Sequence, residues 1–219
     1  MIGSTVMTNK QKAEIIVNYF NEILPTASCE LNYTTDYGLL ISVVLSAQTT
    51  DKSVNKVTPI LFNKFPTLED LSKADIKDVE LCIKQIGLYH AKAKNIKLIA
   101  IDLIKKFNGK VPNNKKDLMS LPGVGNKTAN VVLCELFHQN EFPVDTHVHR
   151  LAKRLKIAKE EDNVETTENK LRKFFKGYDY ILLHHQFIHF GRYTCLARSP
   201  HCENCKLSLI CREFNKNKK

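Results

Sequence analysis

The sequence predicts an all-α protein. Apolar residues recur at helical three- and four-residue spacing in almost every segment. No stretch carries a convincing strand pattern, and no internal repeat of fixed period suggests a solenoid.

The elements follow in order. The first helix runs from Asn9 to about Leu24 and stops before Pro25, with Ile15, Ile16, Tyr19, Phe20 and Ile23 as its apolar stripe. Asp36 to Ala47 follows, with Asp36 as its N-cap, and its nearly all-round apolarity predicts a central buried helix. Asp51 caps the next, which turns Val54, Val57, Leu61 and Phe62 inward and is broken by Pro66; Thr67 then caps a short helix through Ala74. Asp75 starts a helix with Val79, Leu81, Cys82 and Ile86 inward, closed by Gly87. His90 to Phe107 is the longest pattern, with Ile96, Ile99, Ala100, Leu103, Ile104 and Phe107 on one side and lysines on the other. Asn108-Gly109 ends it. A short polar helix covers Asn114 to Ser120, and a second begins near Lys127 and buries Ala129, Val132, Leu133, Leu136 and Phe137. Pro143-Val144-Asp145 leads into a helix reaching about Lys156. That helix buries Val148, Leu151, Ala152 and Leu155, while Arg150, Lys153, Arg154 and Lys156 make it basic elsewhere. Two more helices, Asn163–Phe175 and Asp179–Gly191, precede a cysteine-rich loop and a polar tail, Asn215 to Lys219, expected to fray.

Composition narrows the function. The chain has 219 residues, and 43% hydrophobic content supports a packed core. Lys+Arg 33 against Asp+Glu 23 gives a formal charge of +10, which favours a polyanionic partner, nucleic acid before anionic membrane. No signal-peptide pattern opens the chain, and the longest apolar run, Leu39 to Leu45, is too short to span a bilayer. The expectation is a soluble, cytoplasmic protein without a membrane partner. In a reducing compartment its 7 cysteines should be thiols or metal ligands.

Three constellations carry chemistry. In Leu121-Pro122-Gly123-Val124-Gly125-Asn126-Lys127, the two glycines let the backbone turn sharply and approach another surface closely. The N–H groups opening the following helix suit a phosphate. Lys127 lies nearly opposite the buried face, so it points out of the core. An amine in that setting attacks carbonyl-like carbons and forms Schiff bases; the plain alternative is a helix–turn–helix corner with a solvated lysine. Asp145 is a helix cap, and also a carboxylate suited to stabilising an oxocarbenium-like sugar cation or moving protons. Cys195, Cys202, Cys205 and Cys211 fall within 17 residues and form a ligand set for one metal centre, zinc or an iron–sulfur cluster. Arg192, Arg198, Lys206 and Arg212 flank these ligands and add positive charge for phosphates. His184, His185 and His189 read as structural or surface residues, and His147 and His149 as DNA contacts or packing groups.

Together these motifs resemble the endonuclease III DNA glycosylases. The hairpin Leu121 to Val132 is similar to that family's helix–hairpin–helix, and Pro143-Val-Asp-Thr-His-Val-His-Arg150 to its aspartate-bearing segment. The cysteine spacing matches its [4Fe–4S] loop at all four ligands; Leu45–Asp51 and Ile86–Lys92 resemble two further segments. The resemblance covers about Leu31 to Cys211. It implies a two-lobed glycosylase fold with a C-terminal cluster loop. A six-helix barrel domain would occupy 29–140, and 1–28 with 141–219 would form a discontinuous helical domain. The DNA groove would lie between the lobes.

By the same resemblance the activity is removal of oxidised pyrimidines from DNA, with β-elimination at the resulting abasic site. Lys127 is then the Schiff-base nucleophile at C1′ and Asp145 its partner. Gly123, Val124 and Gly125 grip the DNA backbone, Gln48 and Leu88 fill the gap left by the extruded nucleotide, and His90 and Arg198 add contacts. The [4Fe–4S] cluster is structural and DNA-orienting, its four sulfurs are expected to converge, and the protein acts as a monomer on duplex DNA bearing damaged pyrimidines or abasic sites. His90 stands where relatives often carry Asn or Arg, and Ser199 where they often carry a further basic residue, which touches contact details and lesion preference. The rivals are an adenine-type mismatch glycosylase and a non-catalytic DNA-binding iron–sulfur protein. The former branch usually lacks a lysine at the Lys127 position and carries a further C-terminal domain; the latter needs neither Lys127 nor Asp145.

Overall fold

Capping side chains decide where the helices begin in the computed structural model, which describes residues 7–216. The described residues are all helix and loop, as predicted. Helix α1 (Asn9–Ile23) opens on a capping box between Thr8 and Gln11. Helix α2 (Asp36–Leu45) is capped by Thr35, not by Asp36: the threonine Oγ1 accepts the Gly38 N–H at 3.1 Å. Likewise Thr50 rather than Asp51 caps α3 (Asp51–Lys64), accepting from Ser53. Each aspartate instead takes the first helical position, where a carboxylate meets the positive end of the helix dipole. Thr67 and Asp70 form a second capping box on α4 (Leu68–Lys73), and Asp75 caps α5 (Ile76–Ile83).

The largest difference from the sequence boundaries lies between α5 and α6. Helix α5 ends at Ile83 rather than Gly87, and its Leu81 is 59% exposed instead of core-facing. The next helix, α6 (Tyr89–Phe107), starts from Leu88 in a left-handed conformation. It closes with Gly109 N–H donating to the Leu103 carbonyl at 2.8 Å, a six-residue return that satisfies a terminal carbonyl. Lys92, expected on the solvated side of this helix, is buried.

Helices α7 (Lys115–Met119) and α8 (Asn126–Phe137) flank the glycine turn. They are followed by α9 (Thr146–Arg154), α10 (Val164–Phe174), α11 (Tyr180–Tyr193) and α12 (Arg212–Lys216). Residues 215 and 216 thus continue a short helix, and 217–219 of the expected tail lie outside the described residues.

The chain divides into two compact units. One is continuous, Cys29–Gln139, and holds α2 to α8. Helix α2 packs on α3, α6 and α8 there, with Leu39, Leu40, Ile41, Val43, Val44 and Leu45 all buried. Ile41, Val43 and Val44 are mediocre helix formers, at up to ~0.7 kcal/mol each. Burying each one returns roughly 1.5–3 kcal/mol, so packing decides the conformation.

The other unit joins Met1–Ser28 to Asn140–Lys219. Its core is aromatic: Phe20 meets Phe187 edge-on at 5.1 Å, and Phe142 stacks on Phe175 at 6.1 Å. Asn140 fastens the returning chain, its Oδ1 accepting the Tyr180 N–H at 2.8 Å.

Thr35→Ala is expected to lower stability by about 1 kcal/mol through loss of the α2 cap, and Asp36→Ala by less. Urea-unfolding midpoints of the two variants check which residue caps.

Candidate active site

The glycine turn is held by its apolar residues. Leu121 and Val124 are buried in the core of the continuous unit, and Val124 N–H closes the turn on the Leu121 carbonyl at 3.1 Å. Gly123 sits between them at φ +77, a left-handed value. A Cβ built there would lie 2.6 Å from Asn95 Nδ2. Gly125 differs from expectation, since its φ of −96 and ψ of −178 are ordinary extended values and a Cβ would meet nothing. Its role is to be an N-cap without a side chain, so α8 opens with no side-chain cap hydrogen bond from that position. Val124, expected to contact DNA, turns its side chain into the core; only its main chain faces the turn.

Lys127 stands in the first turn of α8, partly buried, and has no ion pair among the described residues. Ala129, Val132 and Leu133 are buried on the opposite side. Behind this helix lies Cys29. Burial pushes its thiol up to about 12, Glu135 adding to the effect, while the Leu31 backbone and Lys127 oppose it. Cys29 therefore stays a protonated thiol at neutral pH.

Gln48 and Leu88 occupy the two other turns of this unit that the sequence singles out. Both are exposed, and both are left-handed without being glycine, at φ 54 and φ 58. His90, one residue beyond Tyr89, is held by Glu80 through Nδ1 at 2.8 Å and packs on the Tyr89 ring.

In the discontinuous unit, Asp145 caps α9, its Oδ1 accepting the Val148 N–H at 2.8 Å. Its Oδ2 makes no hydrogen bond among the described residues. His149 is tied to the Asp162 carbonyl at 2.9 Å and His147 contacts Arg150, so each ring has a partner within its own unit.

Cys195, Cys202, Cys205 and Cys211 line one pocket. Among the described residues, no three His, Cys, Asp or Glu side chains are grouped closely enough to hold a single metal ion. Burial raises the thiols of Cys195, Cys202 and Cys205 and neighbouring cysteines add to it at each, while Arg154 opposes it at Cys195. Raised in this way the thiols stay protonated; only a bound cation would deprotonate them for coordination.

The loop is also gripped by two arginines that sequence periodicity assigned to a solvated face. Arg154 is buried, and donates to the Leu196 carbonyl at 2.6 Å, the Ala197 carbonyl at 3.0 Å and Cys195 Sγ at 3.2 Å. Arg150 donates to the Gly191 and Cys195 carbonyls at 2.8 and 3.1 Å. The signal was present, since Arg154 falls three residues after the buried Leu151. Arg198 and Ser199 lie exposed in the loop, Ser199 at φ 50.

An all-helical frame with a rigid glycine turn opening a lysine-bearing helix defines a helix–hairpin–helix protein. Residues 41–177 match the family described as HhH-GPD superfamily base excision DNA repair protein. Endonuclease III of Bacillus subtilis is 41% identical over 213 residues, 97% of each chain. A solved endonuclease III–DNA covalent intermediate superposes with a TM-score of 0.93 at 43% identity, over 97% of this chain and 100% of that one. A thermostable thymine-DNA glycosylase gives 0.83 at 26% identity, over 94% and 98%. The chain belongs to the endonuclease III family within the HhH-GPD superfamily.

Gly123→Ala is expected to cost about 1–3 kcal/mol, because strained backbone and the Asn95 contact add. Gly125→Ala should fall within about 0.5 kcal/mol of the unmodified protein. Equilibrium urea unfolding of both variants distinguishes them.

Proposed function

We propose that the chain is a bifunctional DNA glycosylase of base excision repair. It excises oxidised pyrimidines from duplex DNA and cleaves the strand at the resulting abasic site. The observation that carries this reading is Lys127: an amine without an ion pair, in the first turn of a helix whose N-terminus has no side-chain cap, behind a rigid turn. Related endonuclease III has been trapped covalently on DNA, which supports an amine nucleophile here.

In the proposed reaction, neutral Lys127 Nζ attacks C1′ of the damaged nucleoside. The C1′–N bond breaks with its electron pair on the departing base, which takes up a proton. The nitrogen lone pair then expels O4′, the C1′–O4′ bond breaks with its electrons on oxygen, O4′ takes up the amine proton, and a C1′=N Schiff base remains. A C2′ proton then departs, the 3′ phosphate leaves by β-elimination, and water releases the amine. Asp145, with Oδ1 committed to its helix, keeps Oδ2 for the cation developing at C1′ or for proton transfer. The start of α8, where the N-cap has no side chain, suits a phosphate. Arg198 and His90 are proposed as further contacts; His90 would have to leave Glu80 to make one. Cys195, Cys202, Cys205 and Cys211 would hold a [4Fe–4S] cluster. Bound there, it supplies a four-point cross-link of the loop that Arg150 and Arg154 already tie down.

Borohydride trapping on duplex DNA with a thymine glycol or an abasic site tests the reaction. A covalent adduct is expected, and Lys127→Ala should form none. Equal trapping by that variant would overturn the assignment. Asp145→Asn should slow single-turnover excision by about 10²–10⁴-fold.

Protein purified without oxygen should contain iron and sulfide; stoichiometric zinc instead would sink the cluster proposal. Arg154→Met should lose the cluster's visible absorbance faster on exposure to air, since its Sγ contact and loop anchors are gone.

A further inference from the structure

The continuous unit contains a buried cation with no carboxylate against it. Lys92 lies on α6 in the register of the core: Ile96, Ile99 and Leu103 follow it at helical spacing and are fully buried, and Lys92 itself is 4% exposed. Burial lowers its pKa, with no charged neighbour contributing. A side chain so costly to bury calls for an explanation in what it binds.

It stands between the two exposed left-handed turns, seated by the first backbone bond of the helix that Leu88 opens and reaching the other turn with its side chain. Its backbone N–H donates to the Leu88 carbonyl at 3.0 Å. Its Nζ donates to Thr49 Oγ1 at 2.7 Å. Thr49 is the neighbour of Gln48, and its hydroxyl contacts the Ala47 carbonyl on the other side of Gln48 at 3.4 Å. One residue therefore links the backbone carrying Leu88 to the turn wrapped around Gln48.

We propose that Lys92 is a positioning residue that fixes the spacing between Gln48 and Leu88, so that the two side chains enter the duplex together when a nucleotide is extruded. The proposal rests on the gap-filling reading of Gln48 and Leu88. Two independent turns would each have to order on the DNA; a pair already joined spends less binding free energy on ordering. Left-handed non-glycine residues persist only where their surroundings over-determine them. The Lys92–Thr49 bond supplies that constraint from inside the unit rather than from the DNA.

The test compares a step that needs extrusion with one that needs less. Lys92→Met keeps the length and the burial and removes the donor; Thr49→Val removes the acceptor, and Thr49→Ser restores it. Single-turnover excision of thymine glycol from duplex DNA should slow about tenfold or more in Lys92→Met and Thr49→Val, as expected for misplaced groups remote from the bond. The double variant should be no slower than the slower single one, because both remove the same bond. Thr49→Ser should restore the rate. Trapping at a preformed abasic site, which has no base to unpair, should stay within about twofold, and 2-aminopurine beside the lesion should report slower unstacking in both slowed variants. Equal loss on both substrates, additive effects, or normal excision by Lys92→Met would overturn the proposal. Gln48→Ala and Leu88→Ala serve as controls. If both excise normally, the gap-filling reading falls and the coupling with it. If both are slow while Lys92→Met is not, only the coupling falls.

Discussion

A left-handed turn at Gly123, closed against Asn95, is the constraint on which the hairpin depends. The backbone at φ +77 excludes most side chains on steric grounds, and the Asn95 amide occupies the space where a Cβ would go. Leu121 and Val124 bury themselves on either side, so the turn is fixed at both ends by the core. The direction in which α8 starts, and with it the site of Lys127, follows from that arrangement. A nucleophile must be held to within about half an ångström to be effective, and a turn anchored in a packed core meets that demand better than a free loop.

The same unit solves a similar problem differently at two other turns. Gln48 and Leu88 adopt left-handed backbones while keeping side chains, at a cost of about 1–3 kcal/mol each. Glycine at either position would remove the strain and the side chain together. Strain is therefore tolerated where an exposed side chain is presented, and relieved where bare backbone is presented. This division matches the roles proposed for the three turns: the hairpin offers N–H groups, the other two offer an amide and an isobutyl group.

Much of this was legible in the sequence, because helical periodicity and caps are local signals. The all-α class and the apolar faces of α2, α6, α8 and α9 could be read directly. What failed were choices between adjacent residues of similar chemistry. Thr35-Asp36 and Thr50-Asp51 each offer two capping side chains, and only the backbone angles show which one caps. Leu81 is apolar, but on the helical wheel it lies across from the buried Val79 and Ile83, so it faces solvent. For the site, Lys127, Asp145 and the cysteine loop stood out by residue type and spacing. The left-handed geometry of Gln48 and Leu88 left no trace in composition.

The largest misreading concerns cations, and it changes what the net charge means. Lys92 and Arg154 occupy core positions on their helices, yet a basic residue on an amphipathic pattern is assigned to solvent by default. Here each is buried against carbonyl or hydroxyl oxygens and joins segments distant in sequence. Other basic residues are already matched: Lys64 with Asp78, Lys170 with Asp162, Arg172 with Glu141 and Lys206 with Glu22. The formal +10 already nets such pairs against their carboxylates, but it also counts buried Lys92, whose ammonium meets a hydroxyl inside the unit rather than solvent. Exposed pairs are worth little and exchange partners readily when a phosphate arrives; buried cations cannot exchange without breaking the fold. Attraction to DNA thus belongs to the surface cations, whereas Lys92 and Arg154 spend their charge holding in place the turns and the loop around which the proposed chemistry is built.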